Sequence, residues 1–186
     1  MRQTMMGTIV LVAIVCMGVG YQAGRQGLGA RPAAVNMPGA SIEVYFSPHG
    51  GCTDAIVREI VAARNTIDMQ AYSFTSEPIA QALADAEHRG VHVTAVLDKN
   101  ETKEFGRAAN TLRVAHIPVS LDGMHKIAHN KVMLIDGQTV ITGSFNFTTA
   151  AENDNAENLL ILHNAAALCA QYEANFKEHL GHSESY

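Results

Sequence analysis

From residue 41 onward the apolar positions switch between two periods. Ile42, Val44 and Phe46 recur at every second place, the period of a strand with one buried face. After the turn-forming run Ser-Pro-His-Gly-Gly, Ile56, Ile60 and Val61 fall at helical spacing, which predicts a helix capped by Thr53 and running to about Arg64. Ile67, Met69 and Ala71 return to the strand period. Ser76 then caps a second helix, with Pro78 in its first turn, Leu83 and Ala84 on its buried side and Gly90 just past its end. Val91 to Asp98 reads as a strand, Glu101 to Arg113 as a helix and Pro118 to Leu121 as a short strand. The run Val132-Met133-Leu134-Ile135 is apolar on both faces, and Asp136-Gly137 turns it into a second strand, Thr139 to Thr142. Glu157 to Leu162 predicts a closing strand. Ala165 to His179, with Leu168, Tyr172 and Phe176 four apart, predicts a final helix. There is no internal repeat. The strand-helix-strand-helix-strand order of the first half points to an α/β fold, a mixed, mostly parallel sheet flanked by helices on both faces.

Composition changes the picture at the front of the chain. An apolar share of 47% with only 17% charged residues fits one globular domain plus one greasy segment. Met5 to Ala23 carries no charge and is preceded by Arg2 and followed by Arg25 and Arg31, so residues 1–24 read as a membrane anchor through residues 5–23 or as a signal peptide. Both place the domain outside the bacterial cytoplasm, periplasmic or secreted, with attachment to the inner membrane if the segment is retained. Residues 25–39, rich in Gly, Ala, Pro and Arg, read as a linker, and residues 40–186 as the folded domain. Without residues 1–34 the chain keeps ten basic and eighteen acidic residues, a net charge of about −8, so any surface for a polyanion must be local. Cys52 and Cys169 can form at most one pair in the domain, and two buried free thiols fit better. His49-x-x-Cys52 has half a metal-site spacing with no second half.

The candidate chemistry lies at the all-apolar strand. His129 and Lys131 are two apart just before it, which puts both side chains on one face, and Gly143-Ser144-Phe145-Asn146 can return a hydroxyl and a carboxamide to the same end. Such a cluster suits an anionic oxygen. The order His-x-Lys-x4-Asp followed by Gly-Ser-x-Asn resembles the signature of the phospholipase D superfamily. With YSFTS near residue 72, RGVHVTAVLD near 89 and GSFNFTTAAENDNAEN from 143, the chain is similar to its small, single-motif, Nuc-like bacterial endonuclease branch over about Ser41 to Leu180.

That resemblance implies a phospholipase D-like fold and a two-step, metal-independent hydrolysis with no cofactor. One histidine attacks phosphorus and a second protonates the leaving oxygen and then activates water. Since one motif supplies one histidine, it implies a homodimer whose sites meet at the two-fold axis, with His129 as nucleophile on one protomer and acid/base on the other. Lys131 and Asn146 would stabilise the phosphoryl oxygens, Ser144 would add a hydrogen bond, and Glu157 would orient the imidazole. Glu152 and Asp154 are rivals for the last role. Asp136 belongs to the motif but sits a strand length from His129, ~20 Å with the residues extended, which suits a turn and framework residue. His125 and Lys126 could reach a substrate phosphate or form a solvated loop pair. His49, His88, His92, His116, His163, His179 and His182 show no partner pattern and read as surface or core filler. The expected substrate is nucleic acid. The alternatives are a phospholipid such as cardiolipin and, from a different class, a non-catalytic phosphate-binding module on a membrane.

Overall fold

The computed structural model describes residues 35, 37–101 and 106–186. The anchor or signal at 1–24 and most of the linker lie outside them. No helix among the described residues is long and apolar enough to cross a membrane. One eight-stranded sheet organises the domain, built from β1 (Ser41–Phe46), β2 (Thr66–Ala71), β3 (His92–Asp98), β4 (Val119–Asp122), β5 (Lys131–Ile135), β6 (Thr139–Gly143), β7 (Asn158–His163) and β8 (Glu184–Ser185), in the order β1-β7-β6-β5-β2-β3-β4-β8. The helices are α1 (Cys52–Ala62), α2 (Glu77–His88), α3 (Gly106–Val114), α4 (Thr149–Asn153) and α5 (Ala166–His182).

The sheet is mixed and flanked by helices, but its neighbours are not mostly parallel: β2 pairs with β3 and β3 with β4 in parallel, and the other five pairings are antiparallel. The crossover helices α2 and α3 make the parallel pairs, while β5 and β6 form a hairpin, β7 adds antiparallel to β6 through the loop that holds α4, and α5 crosses the sheet to reach β8 at the far edge. On one face Ile67, Met69, Ala71, Val93, Ala95 and Leu97 pack under Ile56, Ile60, Ile79, Leu83 and Leu112 of α1 to α3. On the other, Val96, Val132, Leu134, Val140 and Leu162 lie under Cys169 and Phe176 of α5, with Met37 against the same cluster. Cys52 and Cys169 are buried free thiols.

Several local expectations change. Thr53 gives α1 no side-chain cap; the Glu152 carboxylate instead accepts from the backbone N–H groups of Gly51 at 3.1 Å and Thr53 at 2.7 Å, a negative group at a helix N-terminus. Ser76 is at the N-cap of α2 without a capping bond. Val61 faces solvent, 59% exposed, because α1 turns Cys52, Ala55, Ile56 and Ile60 inward, with Val57 at the margin of the same core. The helix expected over Glu101 to Arg113 is a short 3-10 turn, Lys99–Glu101, followed by α3. The single turn of α4 and the two-residue β8 carry too few apolar positions to show a period.

Candidate active site

The C-terminal ends of β1, β2, β3, β4 and β6 and the N-terminal ends of β5 and β7 share one end of the sheet, since Ala71 pairs with both Leu97 and Lys131, Asp98 with Asp122, Val132 with Thr142, Gly143 with Leu159 and Phe46 with Asn158. The polar motif residues emerge here. His129 is exposed and stands just before β5, its ring 4.5 Å from that of Tyr72, the residue after β2. Tyr72 is fixed by its own N–H, which donates to the Asn130 carbonyl at 2.9 Å. The loop into His129 hangs from the fully buried Asp98, whose carboxylate accepts from the N–H groups of Ala128 at 2.6 Å and Asn100 at 2.8 Å. A charge without solvent thereby sets the entry angle of the histidine.

Lys131 is only 6% exposed. Its ammonium donates to the His129 carbonyl at 2.9 Å and lies 5.0 Å from the Tyr72 ring centroid. Burial pushes its pKa down to about 8, against the opposing pull of the Glu157 carboxylate. The lysine is therefore mostly protonated at neutral pH but titrates well below an exposed one. Tyr72, known from the sequence only as context, is a contact residue for both His129 and Lys131.

Ser144, Asn146 and Glu157 reach this end through the turn after β6. Phe145 and Phe147 are fully buried with Phe74, and the Phe147 carbonyl accepts from the N–H groups of Thr75 and Ser76, both at 3.0 Å. With alternate residues locked inward, Ser144 and Asn146 take the other side. Gly143 is required by close approach: a Cβ there would sit 2.2 Å from the Asn158 carbonyl. The Ser144 hydroxyl accepts from Asn158 N–H and from Asn158 Nδ2–H, both at 3.1 Å, so it braces the start of β7. Asn146 Oδ1 is buried with no hydrogen-bond partner, a polar atom that an arriving ligand or water can satisfy. Glu157 is half-buried. Its N–H donates to the Ser47 hydroxyl at 3.2 Å, and Asn155 Nδ2 donates to its carboxylate at 3.4 Å. Of its rivals, Glu152 is committed to the start of α1 and Asp154 is exposed.

Asp136 stands at the opposite end of β5. Its carboxylate accepts from three consecutive backbone N–H groups, Arg64 at 2.9 Å, Asn65 at 2.7 Å and Thr66 at 3.0 Å. Burial works to raise its pKa, but those three bonds outweigh it and hold the carboxyl below the usual range. The residue is in the left-handed region, φ 54°, and clamps the start of β2 to the end of β5. Lys126 is exposed on the loop into His129, its carbonyl accepting from Asn100 Nδ2 at 3.1 Å. His125 is turned toward Asp122, 3.1 Å away, rather than toward Lys126 as a phosphate-binding pair. His179 and His182, read as filler, face the same carboxylate. His49 and Cys52 enter neither convergent group of metal-capable side chains among the described residues.

Comparison with known proteins agrees with this architecture. Residues 56–180 match the family described as "Cardiolipin synthase, PLD-like domain". A "Phospholipase D" of Rickettsia bellii is 43% identical over 126 residues, 68% of this chain and 63% of that protein. The human "Mitochondrial cardiolipin hydrolase" is 35% identical over 115 residues, 61% of this chain and 46% of that protein. The chain thus spans less than two thirds of the length of these relatives. Among solved structures, the phospholipase D family member Nuc of Salmonella typhimurium superposes with a TM-score of 0.76 at 36% identity, covering 79% of this chain and 98% of that one. NucT of Helicobacter pylori, at 21% identity and a TM-score of 0.70, shares the fold.

Proposed function

The chain belongs to the phospholipase D superfamily, a phosphodiesterase family, and from that premise we propose that it is a metal-independent nuclease working through a phosphohistidine at a homodimer interface. What carries the nuclease reading is the likeness to Nuc, which is matched over nearly its whole length by the described domain alone. His129 attacks phosphorus, the P–O bond to the leaving group breaks, and the second protomer's copy of His129 donates a proton to that oxygen. The same imidazole then takes a proton from water, whose oxygen attacks phosphorus and releases His129. Lys131, a cation whose pKa burial lowers to about 8, and Asn146, through its Nδ2–H group, stabilise the phosphoryl oxygens as charge develops. Glu157 orients the imidazole, and Ser144 braces Asn158, the first residue of β7 and the neighbour of Glu157.

The dimer rests on the count of histidines, and the edge strand supports it. Ile42, Val44 and Phe46 share one face of β1 and are 56%, 51% and 65% exposed, an apolar row ending at Phe46, the pairing partner of Asn158. A second copy would cover that row and bring the two strand ends together. The same row, together with relatives named phospholipase D and cardiolipin hydrolase, favours a second reading, hydrolysis of a membrane phospholipid. Incubation of the protein in EDTA with single-stranded DNA, duplex DNA, RNA and cardiolipin vesicles separates the two: the nuclease reading expects nucleic-acid cleavage, and cleavage of cardiolipin alone overturns it. For the dimer, wild type is mixed with His129→Ala subunits and allowed to exchange. Activity should track the square of the wild-type fraction, and a linear decline would mean that each chain carries a complete site.

A further inference from the structure

At the same end of the sheet as His129, but at β4 rather than β5, four side chains from two distant parts of the chain converge. β2 and β3 lie between β5 and β4, so three strand spacings, ~14 Å, separate the two strands. Asp122, the last residue of β4, is fully buried, and its Oδ2 lies 2.6 Å from His179 Nδ1, 3.1 Å from His125 Nδ1 and 3.3 Å from His182 Nε2. His179 and His182 are three apart in the last turns of α5, and Asp122 and His125 are three apart across the turn after β4. One ligand-capable atom from each lies within 4.8 Å of all the others.

An ion-pair cluster alone accounts for this poorly. A carboxylate oxygen cannot accept well from three rings at once, and His182 Nε2 is in fact buried without a hydrogen bond. Three imidazoles with ring centroids 4.9 to 5.3 Å apart would also repel one another if more than one were protonated. A cation among the four atoms gives each ring nitrogen its own bond. A tetrahedral ion with bonds of ~2.0–2.1 Å sets its donors ~3.3 Å apart, which the His125 and His182 separations from Asp122 already match, while the 2.6 Å hydrogen bond from His179 would open by about 0.7 Å as the ion replaced its proton.

We propose that Asp122, His125, His179 and His182 bind one divalent transition-metal ion of the zinc class, in a structural rather than catalytic site. Three imidazoles and one carboxylate suit Zn²⁺, Co²⁺ or Ni²⁺ over Mg²⁺ or Ca²⁺. Four protein ligands leave no open position for a reacting water. The ion would tie the end of α5 to the loop that runs through Lys126 and Ala128 into His129, adding to the hold that Asp98 has on the same loop. It departs from the expectation of no metal drawn from the reaction, since this ion takes no part in hydrolysis.

The test uses the full chain in mild detergent, stripped with chelator and titrated with ZnCl₂ by calorimetry, and with CoCl₂ by visible absorption. His129→Asn serves as the background so that the motif histidine cannot be the ligand. The expected result is one Zn²⁺ per chain, tetrahedral Co²⁺ bands displaced by Zn²⁺, and a thermal midpoint that rises with zinc. His125→Ala, at a half-exposed position, and His182→Gln should each weaken Zn²⁺ binding by about tenfold or more, while His163→Ala in the other histidine-carboxylate group leaves it unchanged. No zinc uptake in the His129→Asn background, uptake that survives both His125→Ala and His182→Gln, or uptake lost in His163→Ala would each overturn the assignment.

Discussion

Two groups of histidine and acid share one end of this sheet and are built in opposite ways. Around His129 the imidazole is exposed, Lys131 is buried against an aromatic face and Glu157 is only half-buried, so charges are kept apart and under-satisfied. Around Asp122 the acid is enclosed and the rings close on it. An arrangement that must bind an anion and release it needs unspent hydrogen-bonding capacity, while one that anchors a helix end to a loop gains by committing its donors, and at Asp122 the unpartnered His182 Nε2 is the one that the proposed ion would commit.

The largest effect that separates the two is catalytic. His129→Asn should lower kcat by about 10³-fold or more with no loss of thermal stability, because an exposed side chain at a strand end adds little to the core. His182→Gln should do the reverse, lowering the zinc-dependent thermal midpoint with kcat nearly unchanged. A His129→Asn enzyme with more than a tenth of the wild-type rate would point to another nucleophile.

Lys131→Met should cost ~10²–10³ in kcat through loss of a charge opposed to the phosphoryl oxygens. In the wild type kcat/KM, which reports the free enzyme, should fall as pH passes about 8. Stability should move the other way: the unfolded chain holds this proton up to the ordinary lysine range and the folded one only to about 8, so stability rises with pH between them. Urea titrations at pH 7.5 and pH 9.5 beside the rate profile test both signs, and a rate flat through pH 9 would remove Lys131 from the charged role.

Asp136 tests whether all motif residues act at the site. Asp136→Ala should cost ~1–3 kcal/mol of stability by freeing three N–H groups, with kcat per folded molecule retained. The smallest expected effect is a gain. Asp68, under α5, has its carboxyl pushed up to about 6 by burial, with Glu173 acting the same way and Lys177 against. Its folded pKa is raised, so its stabilising contribution is complete below about pH 4 and is lost as pH rises to about 6. Asp68→Asn should therefore stabilise the protein by ~1–2 kcal/mol at pH 8 and not at pH 4. Equal effects at both pH values would mean the charge is not the cause.

Periodicity located most of the strands and the long helices, because an element with one buried face repeats at two or at about 3.6 residues; β5, buried on both faces, showed as a continuous apolar run, and β1 showed the alternation although its apolar row is exposed in the single chain. The motif order placed His129, Lys131, Ser144 and Asn146 at one end of the sheet because their spacing is local, two residues along the chain or one hairpin, and by the same spacing it placed Asp136 a strand length away at the other end. The share of parallel neighbours was not legible, since it depends on where β1 and β7 insert, at the sheet edge beyond β6, and no local signal encodes that. Nor was Glu152 as the cap of α1, which lies about a hundred residues away in the chain. The same limit hid Tyr72 and the group around Asp122. His125, His179 and His182 have no common spacing, and only the return of α5 across the sheet to the end of β4 turns three unrelated histidines and an acid into one site. Sequence determines what its neighbours along one element must do; meetings between elements are decided by packing, where the burial of α5 rather than any motif sets which side chains face each other.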